Sequence, residues 1–343
     1  MSAAVVTILG AGAMGSALAT PLADAGHEVR LWGTHLDDHL IDAVRAGQPH
    51  PRTGAPLAAG VATYRHADLA AALAGAEVAV MAVSSVGVWD IARLAAPLLA
   101  SARVLLLTSK GFAADAAGRV HLLPQTVTRA LDGAGLGALP VVAVGGPCKA
   151  NEVAARQPTA AVFAAAEDVA GWAAFAQTPA YRVAVSADRD GVELCAALKN
   201  VYAIALGCAD GLTEAGARPW HDLKAAAFAQ ALAELRLILE AEGCDPWTAA
   251  GLAGAGDLEV TGLSGRNKAY GVRLGRGQSA AAALAAMTAL EQTVEGVPAV
   301  RLAADYLNQR HLGLLSRLPL LTAIGEVVHG GGDFAQIVGA ALP

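Results

Sequence analysis

The sequence predicts an α/β fold in two parts: a doubly wound parallel sheet over residues 1–188 and an all-helical domain over residues 189–343. Three observations lead there. Short apolar runs alternate with Ala-rich helical segments through the first half, as expected of strands buried on both faces and joined by crossover helices. Near residue 188, at "DRDGVEL", the strand-like runs stop and only helical periodicity continues. The chain of 343 residues also exceeds what one hydrophobic core usually holds, about 250 to 300 residues.

Taken in order, the first strand is "AVVTILG" (4–10), a continuous apolar run closed by glycine. A helix is predicted from Met14 to Ala25, then a second strand in "HEVRLW" (27–32). Further strands are read in "AEVAVMAVS" (76–84), "RVLLLTS" (103–109), "PVVAVGG" (140–146), "TAAVFAA" (159–165) and "YRVAVSA" (181–187). No low-complexity linker and no internal repeat separates the halves, so the two domains are expected to pack closely around a cleft that holds the active site.

Composition narrows the class. Although 55% of residues are hydrophobic, no run reaches the roughly 18 uninterrupted apolar residues of a membrane span. The start, "MSAAVVTILGAG", lacks the basic region of a signal peptide. A net charge of −6 argues against a nucleic-acid footprint, which would be basic. Cys148, Cys195, Cys208 and Cys244 have no metal-ligand or redox-motif spacing. The expectation is a soluble, cytoplasmic protein with no metal centre, no membrane span and no nucleic-acid partner.

Within "LGAGAMGSALA", Gly10, Gly12 and Gly15 form a G-x-G-x-x-G turn directly between a predicted strand and a predicted helix. The first glycine permits the tight turn, the second lets pyrophosphate approach the backbone, and the third lets helix pack on strand. The phosphates then meet the helix N-terminus. This context makes the first domain Rossmann-like and the cofactor NAD or NADP. A carboxylate at the end of the second strand would select NAD, but "RLWGTH" (30–35) has none. Asp37 and Asp38 follow a little later and Arg30 lies within the strand, so the choice between NAD and NADP stays open.

Several polar residues stand in apolar or Gly-rich settings. Lys110 in "LLLTSKGF" follows a strand at the sheet edge that faces ligands in open α/β folds. Lys199, with Asn200 beside it, interrupts the apolar helix "GVELCAALKNVYAIALG", where Leu194, Leu198, Val201 and Tyr202 leave little polar surface. Burial disfavours an ammonium and lowers its pKa toward the range useful for proton transfer. Asp257 and Thr261 lie one helical turn apart in "GAGDLEVTGLSGRNKAYG". Arg266, after Gly265 and before Asn267, offers a guanidinium fork and an amide suited to a phosphate.

Together these blocks resemble one family, the NAD(P)-dependent sn-glycerol-3-phosphate dehydrogenases. The likeness runs nearly end to end through "GAGAMGSALA", "SKGF", "GGPCKANEVA", "GVELCAALKNVYAIALG", "GAGDLEVTGLSGRNKAYG" and "TVEGVPAV". It implies an oxidoreductase that interconverts sn-glycerol 3-phosphate and dihydroxyacetone phosphate and feeds glycerophospholipid synthesis. By this resemblance Lys199 is the catalytic acid/base, and Asp257 and Thr261 hold it and the substrate oxygens. Lys110 contacts substrate and nicotinamide, and Asn200 joins the same polar cluster. Gly146 and Cys148 line the substrate site. Gly265, Arg266 and Asn267 grip the phosphate; were Arg266 instead to hold the cofactor or the fold, Lys110, Lys149 and Lys268 are the next candidates. Gly10, Gly12, Ala13, Met14, Gly15, Lys110, Ala150, Arg266 and Glu295 contact the cofactor. A homodimer acting on a small phosphorylated molecule is implied as well.

Three positions depart from the family's pattern. Met14 replaces a common aromatic residue, Gly262 a common cysteine and Gln230 a frequent arginine. The last could alter the substrate. A related dehydrogenase of the same fold, acting on another phosphorylated ketose or a 2-keto acid, is therefore the second reading. A redox-sensing dinucleotide-binding regulator is the third, and it leaves Lys199 unexplained.

Overall fold

The computed structural model describes residues 3–166, 170–216 and 218–342. They fall into two compact units, one comprising residues up to Lys110 together with Leu122–Glu193, the other comprising Gly111–His121 together with residues from Leu194 onward.

The first unit is a sheet covered by helices. Its strands are β1 (Val5–Leu9), β2 (Glu28–Trp32), β3 (Ala62–Tyr64), β4 (Val78–Met81) and β5 (Val104–Leu107). After the hairpin β6 (Phe112–Ala114) and β7 (Val120–Leu122) come β8 (Val141–Gly145), β9 (Thr159–Ala164) and β10 (Tyr181–Ser186). The connecting helices are α1 (Ala13–Asp24), α2 (Asp38–Arg45), α3 (Leu69–Leu73), α4 (Val88–Ala95), α5 (Leu123–Asp132), α6 (Ala150–Ala154) and α7 (Ala170–Ala176). The sheet order is β10-β9-β8-β5-β4-β1-β2-β3. Val6, Ile8, Val80, Leu106 and Val142 from its central strands are at most 2% exposed and form one core with Leu18 and Leu22 of α1. Burial on both faces is why these strands read as unbroken apolar runs.

The sheet departs from the wholly parallel expectation at one edge. β9 runs antiparallel to β8, and β10 follows β9 in parallel. A parallel return needs a long crossover, usually a full helix, and here only the short α6 intervenes. The chain doubles back at Gly146, whose φ of 110° suits a residue without a side chain. Cys148 N–H closes on Gly146 O at 2.8 Å, and Thr159 Oγ1 donates to Pro147 O at 2.7 Å.

The second unit consists of the hairpin β6–β7 and helices. The latter are α8 (Arg189–Ala215), α9 (His221–Glu242), α10 (Asp257–Leu263), α11 (Arg266–Gly275), α12 (Ala280–Ala289), α13 (Gly296–Arg310), α14 (Pro319–Gly325) and α15 (Phe334–Ala340). The hairpin lies within the first 188 residues of sequence yet belongs here. Phe112 packs tilted against Tyr306 of α13 with ring centroids 5.3 Å apart, and Gln309 bonds both Val120 N–H and Gly118 O. The first turn of α8 groups instead with the sheet unit, where Gln125 Nε2 donates to Asp190.

Helix α8 has 27 residues, about 40 Å at ~1.5 Å per residue, and is the spine of the second unit. It is long and apolar enough to cross a bilayer, but its apolar window is wholly buried within the protein, as in a core helix. It packs directly against α11. Added Cβ atoms at Gly207 and Gly211 of α8 would lie 2.2 Å from the carbonyl oxygens of Lys268 and Val272. Those at Gly271 and Gly275 of α11 would lie 2.2 and 2.1 Å from the carbonyls of Ile204 and Cys208. Two glycine pairs, each four residues apart, thus let the helix backbones touch.

Candidate functional site

In the sheet unit, β1 ends in the glycine turn and α1 begins with Gly12 as its N-cap. Gly10 has a φ of 112°, and its backbone passes so close to Ala82 that a Cβ would sit 2.9 Å from Ala82 O. A Cβ on Gly15 would be 2.0 Å from Gly10 O, whereas one on Gly12 would meet nothing within 4 Å. Packing therefore excludes side chains at the first and third glycines, and the second opens a cradle beside the helix terminus. The first N–H groups of α1 have no intrahelical partners and can serve an anion. The turn fits a dinucleotide pyrophosphate. Ala13 and Met14 form the first turn of α1, both half-buried.

The other sheet-unit candidates share this edge. β8, β5, β4 and β1 are consecutive and parallel, so residues following their C-terminal ends line up. Ser109 Oγ anchors the β5 end by donating to Val83 O at 2.6 Å, and Lys110 follows it, half-buried. Gly146, Cys148 and Ala150 follow β8. Cys148 Sγ lies 3.6 Å from Ala160 O, and Cys148 and Ala150 both pack partly against the core.

The acidic residues after β2 turn inward. Asp37 is 8% exposed, and its Oδ2 accepts from Ala11 N–H at 3.3 Å, Thr34 N–H at 3.1 Å and Thr34 Oγ1 at 2.8 Å. Asp38 pairs with His66 at 2.6 Å, whose bonds hold its carboxyl below the usual range. Arg30 bonds Glu28 and the Ala72 and Ala74 carbonyls.

In the helical unit α8 carries Lys199 and Asn200, 8% and 7% exposed. Lys199 Nζ donates to Asp257 Oδ1, and Asp257 is 1% exposed. The pair joins residues 58 apart in sequence. Asp257 reaches it from the first position of α10, directly after a π-helical turn, Leu252–Gly256. Such turns re-aim the side chains that follow and recur at functional sites. Thr261 Oγ1 donates to Asp257 O at 2.6 Å, which leaves its oxygen free to accept.

Beside this pair runs an amide network. Asn267, buried at the start of α11, donates from Nδ2 to Asn200 Oδ1 at 2.9 Å and accepts at Oδ1 from Gly296 N–H at 2.8 Å. Asn200 Nδ2 donates to Glu295 Oε2 at 3.3 Å, and Glu295 Oε1 lies 3.6 Å from Arg266 Nη2. Arg266 is the exposed end of this chain, its side chain 47% accessible. Gly265 immediately precedes it. Lys268 instead pairs with Asp210 at 3.1 Å, and Lys149 lies 3.6 Å from Glu152.

Two of the three departures have local explanations. A Cβ at Gly262 would stand 2.6 Å from Leu206 Cδ1, so a side chain there requires the end of that leucine to turn aside. Gln230 commits its amide to Glu234 Oε1 at 3.0 Å, whereas the lysine pair lies on α8 and α10. Glu234 is fully buried and also accepts from Tyr202 Oη and from the Leu320 and Leu321 N–H groups that open α14. Desolvation pushes its carboxyl up despite these donors. Nothing in the sequence singles out Glu234 or His50, since a single acid or imidazole in an Ala-rich helix or a polar loop carries no pattern of its own.

A sheet unit whose glycine turn fits a dinucleotide and a helical unit that holds a buried amine–carboxylate pair are the parts expected of a nicotinamide-dependent oxidoreductase. Residues 5–170 match the N-terminus and residues 188–339 the C-terminus of NAD-dependent glycerol-3-phosphate dehydrogenase, and the chain belongs to that family. It is 37% identical over 331 residues to a glycerol-3-phosphate dehydrogenase [NAD(P)+] from Symbiobacterium thermophilum, covering 95% of this chain and 90% of that one. It is likewise 37% identical over 277 residues to an NADP(+)-dependent glycerol-3-phosphate dehydrogenase from Archaeoglobus fulgidus, covering 80% and 81%. The crystal structure of the Coxiella burnetii glycerol-3-phosphate dehydrogenase superposes with a TM-score of 0.82 at 29% identity, covering 98% of both chains.

Proposed function

We propose that this protein interconverts sn-glycerol 3-phosphate and dihydroxyacetone phosphate with NAD or NADP. The observation that carries the reading is the buried Lys199–Asp257 pair, set beside the Asn200–Asn267–Glu295–Arg266 network. The nicotinamide, when bound, supplies the hydride to C2 of the ketone and recovers it in the reverse direction.

The protein's own residues have the complementary task. Lys199 donates a proton to the carbonyl oxygen as C2 is reduced and takes it back from the C2 hydroxyl on oxidation, so the charge on oxygen never builds up. Asp257 steadies the ammonium while it carries that proton, and Thr261 Oγ1 can accept from a substrate hydroxyl. Arg266 binds the phosphate in a fork of charge-assisted bonds. Asn267 keeps one amide hydrogen beyond its bond to Asn200 for the same anion. Gly10, Gly12 and Gly15 with Ala13 and Met14 would hold the pyrophosphate, with Ala150 and Glu295 as further cofactor contacts. Lys110, Gly146 and Cys148 are assigned to the substrate, Lys110 touching the nicotinamide too. A homodimer and a cytoplasmic location belong to the same proposal, testable by sedimentation and by cell fractionation.

The experiment is oxidation of NADH and NADPH with dihydroxyacetone phosphate, run beside other ketose phosphates, 2-keto acids and unphosphorylated dihydroxyacetone. Dihydroxyacetone phosphate should give the highest kcat/KM. A higher value for another ketose phosphate or a 2-keto acid would replace this substrate with that one.

A further inference from the structure

Ala11 lies between the first two glycines of the turn and is held from both sides. Its N–H donates to Asp37 Oδ2 at 3.3 Å, and its carbonyl accepts from His50 Nε2 at 2.9 Å. Both partners are buried, His50 being 1% exposed, and both come from the segment between β2 and β3. The imidazole has one workable tautomer. Arg52 N–H donates to Nδ1 at 3.3 Å, so Nδ1 is the acceptor and the ring proton sits on Nε2, aimed at Ala11 O. Burial holds the ring below the ordinary histidine range, in keeping with a neutral donor.

We propose that His50 and Asp37 are positioning residues for the dinucleotide: together they clamp Ala11 so that the N–H groups opening α1 are already aimed at the pyrophosphate. This rests on reading the Gly10–Gly15 turn as the cofactor site. Asp37, at the place where a carboxylate could address the ribose, thereby serves the loop backbone instead. A hydrogen-bond array fixed before binding spares the cofactor the cost of ordering the loop.

The test is direct titration of the full chain with NADPH by calorimetry, with melting temperatures and steady-state kinetics alongside. In His50→Asn the side-chain oxygen can still accept from Arg52, but the amide is too short to reach Ala11 O. In His50→Gln the longer amide can donate there. His50→Asn should raise the NADPH Kd ~10- to 100-fold, as expected for a buried acceptor left unmet. The KM for dihydroxyacetone phosphate should stay within about 2-fold and His50→Gln should recover most of the binding. An unchanged Kd in His50→Asn, even with a lower melting temperature, would overturn the clamp, as would equal losses in the two variants. If His50→Asn does not fold, Asp37→Asn takes its place, with at least a ~3-fold rise in Kd expected and no rise overturning the idea. Gly12→Val separates the two layers of inference: a branched side chain in the cradle should abolish NADPH binding. Wild-type binding by Gly12→Val would mean that the cofactor site itself is misassigned.

Discussion

Replacing Gly271 with alanine sets two effects of opposite sign against each other. Alanine favours a helix over glycine by about 1 kcal/mol, so on propensity alone the change stabilises α11. The structure argues the reverse. The new Cβ would stand 2.2 Å from Ile204 O and 3.0 Å from Cys208 N, both backbone atoms of α8 that cannot rotate away. Ordinary contact begins near 3.4 Å, so the helices must part by about 1.2 Å, and overpacking of this kind costs about 1 to 3 kcal/mol. Separation would also stretch the 2.9 Å bond between Asn267 and Asn200 past hydrogen-bonding range. Leaving that buried amide unmet adds about 1 to 3 kcal/mol. The net expectation is destabilisation by about 1 to 5 kcal/mol, read as a melting temperature lower by about 1 to 7 °C at about 2 cal/mol/K of unfolding entropy per residue. kcat/KM should fall with it, because Lys199 adjoins Asn200 and Arg266 adjoins Asn267. Gly339→Ala is the control, since nothing lies within 4 Å of its Cβ position in α15, and it should be neutral or slightly stabilising. A Gly271→Ala enzyme as stable and active as wild type would refute the argument.

Other outcomes follow from the same geometry. Lys199→Ala should lower kcat by ~10² to 10⁴ while NADPH titration shows binding intact; retained turnover would remove the lysine from proton transfer. Arg266→Ala should reduce kcat/KM for dihydroxyacetone phosphate by ~10² to 10⁴. It should have little effect on the already poor use of unphosphorylated dihydroxyacetone, and equal losses on both would point to the cofactor or the fold. For His50, the folded value lies below the ordinary 6.5, so near and below pH 6.5 the unfolded chain takes up a proton that the folded ring refuses. Its contribution to stability is present above pH 6.5 and is lost as pH falls toward the folded value. Arg52 and His39 reinforce that depression and Asp37 opposes it. Denaturant unfolding between about pH 7.5 and about pH 5.5 should therefore lose less stability in His50→Gln than in wild type. Identical pH slopes would contradict this.

Much of the sheet was legible because its strands are buried on both faces and read as apolar runs. β3 was not: it is a three-residue edge strand with an exposed or half-buried pattern, and no run of that length stands out. The reversed sense of β9 was hidden too, since an apolar run has the same composition in either direction. Lys199 announced itself as an intrusion in an apolar helix. Its junction with Asp257 depends on the π-helical turn before α10, a distortion that "LAGAG" does not advertise. Asp37 was visible as a carboxylate near the end of β2, but the direction in which it points is set by Thr34 and Ala11, two contacts outside any motif.

The hairpin β6–β7 bears on how this enzyme could be taken apart or recombined. Because residues 111–121 fold with the helices, neither unit is a continuous stretch of chain. A fragment beginning at residue 189 would strip Phe112 from Tyr306 and leave Gln309 without both of its hairpin bonds. A chimera made by one crossover near residue 188 would graft one parent's hairpin onto the other parent's helices. Modular exchange between relatives therefore requires three junctions, near Lys110, His121 and Glu193, with the short excursion travelling as part of the helical cassette.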